Sequence, residues 1–326
     1  ARKANVSIAT VSRVLHNLSG YSDKTKLRVT QAIQEIGYQP NAIARGLINK
    51  RTQTIGVMFP NVSSYFSSDI LHGVEEYAND HNYSVFVCNT ADDGKRTMKY
   101  LQVLREKQVD GIIFTSEILK EEYYEVLQSM KIPVVLLSSK ADYASVPYIK
   151  VDDVQASYDA VEYLILRGHR EIAMITGATG DIMAGIPRVK GYKKALEAHG
   201  IPFKQHYLAS GNFGFDEGTI AMEQLLQTVP EATAIFAASD EMAIAALSVA
   251  AKHGLKVPDD ISVIGYDNLK LAEMVVPPLT TVNQPLYEMG KGATEKLISM
   301  IENGGVAEST IMPHRIVERQ TVKDLT

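Results

Sequence analysis

The chain has almost no cysteine. Cys88 is the single one in 326 residues and sits inside an apolar run, so no disulfide framework is available. Nowhere does an apolar stretch reach the roughly 18 residues that a membrane-spanning helix needs, and no secretory leader is visible. Low-complexity tracts are missing as well. No Cys/His spacing suits zinc, and no Ser-His-Asp arrangement is legible, so neither a metal nor a catalytic triad is expected. One dinucleotide fingerprint is begun and not completed. Met174-Ile175-Thr176-Gly177-Ala178-Thr179-Gly180 runs a strand into a glycine turn, but Asp181-Ile182-Met183 stand where a third glycine should follow. An acidic residue just past that turn repels phosphate. These absences point away from an enzyme, a cofactor and a membrane, towards a cytoplasmic chain that works by binding.

What is present is unevenly distributed. A chain of this length suggests two or three domains. Through Arg51 there are 9 Lys and Arg against 2 Asp and Glu, a net charge of +7, while the remainder carries 24 against 36, a net −12. The overall −5 therefore conceals a basic head on an acidic body. That asymmetry suits a module that neutralises nucleic-acid phosphates joined to a small-molecule domain.

The head contains the most informative stretch, Asn5 to Leu15. Ser7 is a good helix N-cap, because its hydroxyl can satisfy a free backbone N–H. Beyond it Val11, Val14 and Leu15 share one face at helical spacing, while Ile8, Ala9, Ser12 and Arg13 point the other way. A short helix with small, hydrogen-bonding and cationic residues opposite an apolar face suits a DNA major groove. Ser22 to Ile36 reads as a second helix, with Ser22 as cap, Val29, Ile33 and Ile36 as buried face and Gly37 as stop.

Next comes Tyr38-Gln39-Pro40-Asn41-Ala42-Ile43-Ala44-Arg45-Gly46-Leu47. Together these stretches, VSxATVSRVL followed by GYxPNAxARGL, resemble the DNA-binding headpiece of the LacI/GalR family of bacterial transcription regulators. The resemblance implies that the Ser7–Leu15 helix reads base edges, with Ser7, Ile8, Ala9, Thr10, Ser12, Arg13 and His16 as contact residues. It implies that Asn41, Ala44, Arg45 and Leu47 belong to a hinge helix in the minor groove. In that family a further helix comes first, and this chain opens inside it, as if shortened by several residues. A segment of under ten residues containing Gly46 is too short to be a stable isolated helix, so the hinge should fold only on DNA. Two-fold symmetry of a homodimer would call for a pseudo-palindromic operator.

From Ile55 short apolar runs alternate with amphipathic stretches. The runs are 55–59, 85–88, 111–114, 134–137, 172–175, 235–238 and 261–264, and helical patterns cover 68–81, 97–107, 156–167, 189–199, 217–226, 242–253 and 287–303. This alternation predicts an α/β body of parallel sheets flanked by helices. The expected division is a headpiece at 1–51, a first lobe at 55–151 with 284–312, and a second lobe at 152–283 with 313–326. Open parallel sheets bind ligands at the carboxyl ends of their strands, and two facing lobes put that crevice between them.

The body's motifs, among them Asp152-Asp153, Arg188-x-x-Gly191-Tyr192, Ser239-Asp240-Glu241-Met242-Ala243, Gly265-Tyr266-Asp267-Asn268 and Gln284-Pro285, resemble the effector domain of the same family. That domain shares its fold with periplasmic sugar-binding proteins. The likeness covers essentially the whole chain and implies effector contacts from Asp152, Arg188, Phe213, Asp240 and Asp267. The strand-end loops add Ser64, Tyr65, Phe66, Asp92 and Gln284. Carboxylates, amides, an arginine and aromatic rings suit a small sugar or sugar phosphate. Plainer readings stand beside these: Asp152-Asp153 can simply cap a helix beginning near Gln155, His169 can be a helix-end residue, and Asp259-Asp260 a solvated turn.

Other classes remain in view. A plain sugar-binding receptor would share the body but not the basic head. Within the family, Met274 and Tyr287 match positions of the catabolite control branch, which takes a phosphorylated carrier protein as corepressor. Glu295, however, stands where that branch has an arginine, a charge reversal that an interface tolerates poorly.

Overall fold

The computed structural model describes residues 1–15, 18–37, 51–91, 94–178 and 180–326. The chain divides into two compact units, Ala1–Thr52 and Gln53–Thr326.

In the first unit, α1 (Ile8–Leu15) and α2 (Asp23–Ile36) pack around Ala4, Val14, Val29 and Ala32. Ser7 caps α1, its Oγ accepting from the Thr10 N–H at 3.1 Å. Ser22 does the same for α2 through the Thr25 N–H at 3.3 Å. Gly37 ends α2 in the left-handed region at φ 59°, where a side chain would be strained. One expectation fails: Ile36 is 55 % exposed, and the inward position is Ala32. The helical turn carries the buried stripe from Val29 to Ala32 and Ile33, and Ile36 lies past its end.

The second unit holds two six-stranded sheets. In the first, β1 (Thr54–Phe59), β2 (Ser84–Asn89), β3 (Gly111–Thr115), β4 (Val134–Leu137), β5 (Tyr148–Val151) and β11 (Thr310–Met312) run in the order β11-β5-β4-β3-β1-β2, all pairs parallel. The helices α3 (Tyr65–Asp80), α4 (Thr97–Glu106), α5 (Glu121–Met130) and α11 (Leu286–Asn303) belong to this lobe. Its inner strands β1, β3 and β4 are apolar on both faces because both are covered. Ile55, Val57 and Phe59 enter one cluster with α3 and α11, while Met58, Ile112 and Phe114 enter the other with α4 and α5.

The second sheet uses β6 (Ile172–Thr176), β7 (Leu208–Ser210), β8 (Ala234–Ala237), β9 (Ser262–Asp267), β10 (Thr280–Asn283) and β12 (Arg315–Val317), in the order β12-β10-β9-β8-β6-β7. With it go α6 (Asp153–Leu166), α7 (Gly185–Ala198), α8 (Phe215–Thr228), α9 (Asp240–Lys252) and the short α10 (Lys270–Met274). All its pairs are parallel except β10–β12, which is antiparallel. The exception follows from the path of the chain. Both sheets direct strand carboxyl ends at the same cleft. A chain running up β11 to that cleft and straight across at 313–314 must enter the second lobe heading away from it.

The chain therefore crosses between lobes after β5, after β10 and after β11. The lobes also share packing, since Leu269, in the loop after β9, is buried in the first lobe's cluster with Phe59, Leu286 and Met289. Among the described residues no helix is long and apolar enough to cross a membrane.

Candidate effector cleft and DNA-reading helix

In the cleft, Arg188 on α7 is the central side chain. It is almost wholly buried. Its Nε donates to Asp153 Oδ1 at 3.0 Å and its Nη1 to the Ala238 carbonyl at 2.5 Å. The guanidinium lies 3.7 Å from the centre of the Tyr266 ring and 5.6 Å from that of Phe213. Tyr266 donates its hydroxyl to Asp153 Oδ1 at 3.2 Å, and Lys150 on β5 meets Asp153 Oδ2 at 3.0 Å. Burial works against the Arg188 charge, but Tyr266, Asp153 and Asp267 around it outweigh that and raise its pKa. Arg188 therefore stays cationic.

Asp267 ends β9 at φ 128°, a region non-glycine residues seldom occupy and one typical of functional positions. Its Oδ1 accepts from Gln284 Nε2 at 2.7 Å. Burial pushes its pKa well up, and nearby Arg188 pulls against that shift. Phe213 follows β7 at φ 63°, pinned by Ser239 Oγ, which donates to its carbonyl at 3.0 Å. The Phe213 ring lies on Gly177, where an added Cβ would fall 2.1 Å from the ring. The glycine turn of the incomplete fingerprint thus makes room for an aromatic face. Asp181, past that turn, fills the start of α7 by accepting from the N–H groups of Met183, Ala184 and Gly185.

Arg188, Phe213, Asp267 and Gln284 are thus gathered on the second lobe's side. Across from them Tyr65 is 52 % exposed at the start of α3. Phe66 packs against the first lobe's core, and Ser64 caps α3 through the Ser67 N–H at 3.1 Å. Asp152 is exposed and caps α6, accepting from Val154 and Gln155 at 3.1 Å each. Asp240 is wholly buried beneath the loop after β9. Its oxygens accept from the Leu269 N–H at 2.7 Å and the Thr281 hydroxyl at 2.5 Å. Burial pushes its pKa up to about 6, opposed by the Thr281 hydroxyl. It can hold the loop that carries Asp267 rather than touch a ligand.

Sequence reasoning missed Lys150 as a cleft residue and left Asp153 with the helix cap. A lysine within the otherwise apolar end of β5, three residues before an aspartate, is a signal that could have found both. His169 is buried and bonded to Thr233 and the Lys323 carbonyl, a structural role. Asp260 closes a turn on the Lys256 N–H at 2.7 Å. No cluster of three or more His, Cys, Asp or Glu able to hold a metal occurs among the described residues.

In the first unit, Ile8 is 80 % exposed, and Ala9 and Arg13 are also exposed, whereas Thr10 and Ser12 are half-buried at the flanks of α1. An exposed apolar tip, a methyl and a guanidinium on one helical face can meet a thymine methyl and a guanine edge. His16, Asn41, Ala44, Arg45, Leu47 and Asp92 lie outside the described residues.

A capped two-helix head with a reading face, and a two-lobed body with a buried polar cluster between lobes, define a DNA-binding regulator governed by a small ligand. Residues 1–41 match the model of bacterial regulatory proteins of the lacI family, and residues 52–320 that of periplasmic binding proteins and the sugar-binding domain of the LacI family. The chain belongs to the LacI family of bacterial transcription regulators. It is 39 % identical to catabolite control protein A of Priestia megaterium, over 99 % of this chain and 98 % of that protein. The transcriptional regulator CelR in complex with cellobiose is 30 % identical with a TM-score of 0.77, covering 98 % of each chain. The lac repressor dimer bound to operator and the anti-inducer ONPF is 27 % identical with a TM-score of 0.88, covering 99 % of this chain and 97 % of that one.

Proposed function

We propose that the chain is a cytoplasmic, homodimeric repressor of carbohydrate-utilisation genes, without enzymatic activity, whose operator affinity is set by a small sugar or sugar phosphate held between the lobes. The headpiece is 1–51, and the lobes are 55–151 with 284–312 and 152–283 with 313–326. Ser7, Ile8, Ala9, Thr10, Ser12 and Arg13 face a pseudo-palindromic operator. Arg188, Phe213, Asp267 and Gln284 hold the effector from one side and Tyr65 from the other, while Asp152, Ser64 and Asp240 shape the loops.

The observation that carries this reading is the Lys150–Asp153–Arg188 chain. It runs from the last turn of a first-lobe strand to a second-lobe helix, beside the crossover after β5. A ligand seated on Arg188 and touching the opposite lobe necessarily binds one lobe angle better than another, which is what couples it to the head. Fluorescence anisotropy on an operator duplex tests this. Arg188→Ala and Asp267→Ala should each abolish the response to effector and leave effector-free operator affinity within a few-fold. A variant still binding sugar normally by calorimetry would displace these residues from the site.

A second reading has one observation behind it. Met274 is 66 % exposed, as a surface for a carrier-protein corepressor would require, and Tyr287 packs edge-on against His72 on the α3–α11 face. Against it, Glu295 is exposed on α11 and Glu76, Glu288 and Asp80 surround Tyr287, an acidic setting for an acidic phosphoprotein. Co-sedimentation with a phosphorylated histidine-containing carrier protein separates the two readings.

A further inference from the structure

We infer that the cleft is built for an uncharged polyhydroxylated ligand and rejects phosphate esters, with Asp153 and Asp181 imposing that choice. The inference rests on the reading of the cleft as the effector site. Proteins hold phosphate esters chiefly on a guanidinium fork or at the N-terminus of a helix. This cleft has both features, and in both the donors are already engaged.

Arg188 has two bidentate faces, Nε with Nη2 and Nη1 with Nη2. Asp153 occupies the first through Nε at 3.0 Å, and the Ala238 carbonyl occupies the second through Nη1 at 2.5 Å. A phosphate therefore finds neither face whole. The cation is also matched by charge, since Asp153 is paired with it and Asp267 lies near enough to favour its ionised form. Lys150, the other buried cation here, is spent on the second oxygen of Asp153 at 3.0 Å.

The helix starts are closed in the same way. At α7 Asp181 takes the N–H groups of Met183 and Gly185 at 2.8 Å each and of Ala184 at 3.3 Å. At α6 Asp152 takes those of Val154 and Gln155. At α9 Ser239 Oγ accepts from Met242, and at α3 Ser64 accepts from Ser67. Carboxylates thus cap two of these starts, where an incoming dianion would meet repulsion instead of bare donors. A sugar hydroxyl asks for less. It can accept from Arg188 Nη2, donate to Asp267, and leave its ring face to Phe213.

Calorimetry on the full chain tests this with ribose and glucose against ribose 5-phosphate and glucose 6-phosphate. We expect at least one neutral sugar to bind and its phosphate ester to bind at least about tenfold more weakly. Asp181→Asn keeps an amide oxygen for the helix start while removing its charge, and should narrow that ratio about tenfold, as should Asp153→Asn. The Asp181 variant and the thermal midpoints of both guard against misfolding at the buried Asp153. A phosphate ester bound as tightly as its parent sugar by the unmodified chain, or a ratio unchanged in both variants, overturns the inference. If neither form of either sugar binds a chain that still melts cooperatively, the sugar-effector reading itself fails, and this inference with it.

Discussion

Two buried aspartates in the second lobe do different work. Asp153 shares its carboxylate among Arg188, Lys150 and Tyr266. Truncating its main partner leaves a buried charge short of compensation, so Arg188→Ala should lower stability by about 3 kcal/mol in urea unfolding. Arg188→Lys keeps the charge but cannot place donors on Asp153 and the Ala238 carbonyl together, so it too should lose effector binding. Retained binding in the lysine variant would mean that charge alone matters there. Asp240 makes no salt bridge among the described residues, and its carboxyl is pushed up to about 6 by burial, above the ordinary 3.8. The folded state then binds this proton more tightly than the unfolded chain. The stabilisation is present in full below about pH 4 and is lost as pH rises through about 6. Asp240→Asn removes that dependence while an amide can still meet Leu269 and Thr281. The variant should match the parent at pH 4 and exceed it by on the order of 2 kcal/mol at pH 7.5. Parallel pH–stability curves for the two proteins would contradict this.

Between elements, the tightest crossing is that of α3 with α11. A Cβ on Gly73 would sit 2.0 Å from the Tyr287 carbonyl oxygen, and one on Gly290 2.1 Å from that of Ile70. Helix propensity alone favours alanine over glycine by about 1 kcal/mol. Here backbone meets backbone and neither helix can yield, so overpacking wins. Gly73→Ala should destabilise the body by about 2 kcal/mol or more, read as a lower midpoint in thermal unfolding, whereas a gain would mean that the helices separate freely. The elements legible in the sequence are those with strong periodicity. Each of the seven apolar runs overlaps one of the strands β1, β2, β3, β4, β6, β8 and β9, with 261–264 starting one residue ahead of β9 and 235–238 running one residue past β8. Among the missed strands, β10 carries polar residues whose partners lie far along the chain. In β10, Thr280 and Thr281 are fully buried because Thr321 and Asp240, each 41 residues away, complete their hydrogen bonds. α5 was hidden for the opposite reason, burying only Tyr123 and Leu127 within a polar, tyrosine-rich segment.

At the scale of the whole molecule, the division of labour is written in charge. The basic head and acidic body were readable by counting, and so was the place of Asp267 and Gln284 at strand ends, whereas Arg188, expected in a strand-end loop, lies in the first turns of α7. What counting cannot give is which carboxylate turns inward. Asp152 and Asp153 are adjacent, and only the start of α6 decides that the first caps the helix while the second reaches Arg188. The same division makes a prediction from one protein and one buffer series. Operator binding should release counterions in proportion to the phosphates neutralised by the head, with a log–log slope of about −0.9 per contact. For roughly 6–10 contacts in a dimer, affinity should fall by about 10³ to 10⁵ between 50 and 200 mM salt. A ligand without charge, held on a buried and internally neutralised cluster, releases almost no ions, and its affinity should stay within about twofold over that range. Measuring both on the same full chain distinguishes the two units by their physics. A steep salt dependence of effector binding would mean that the ligand is itself an anion, and a flat one for DNA would mean that the head does not hold phosphates.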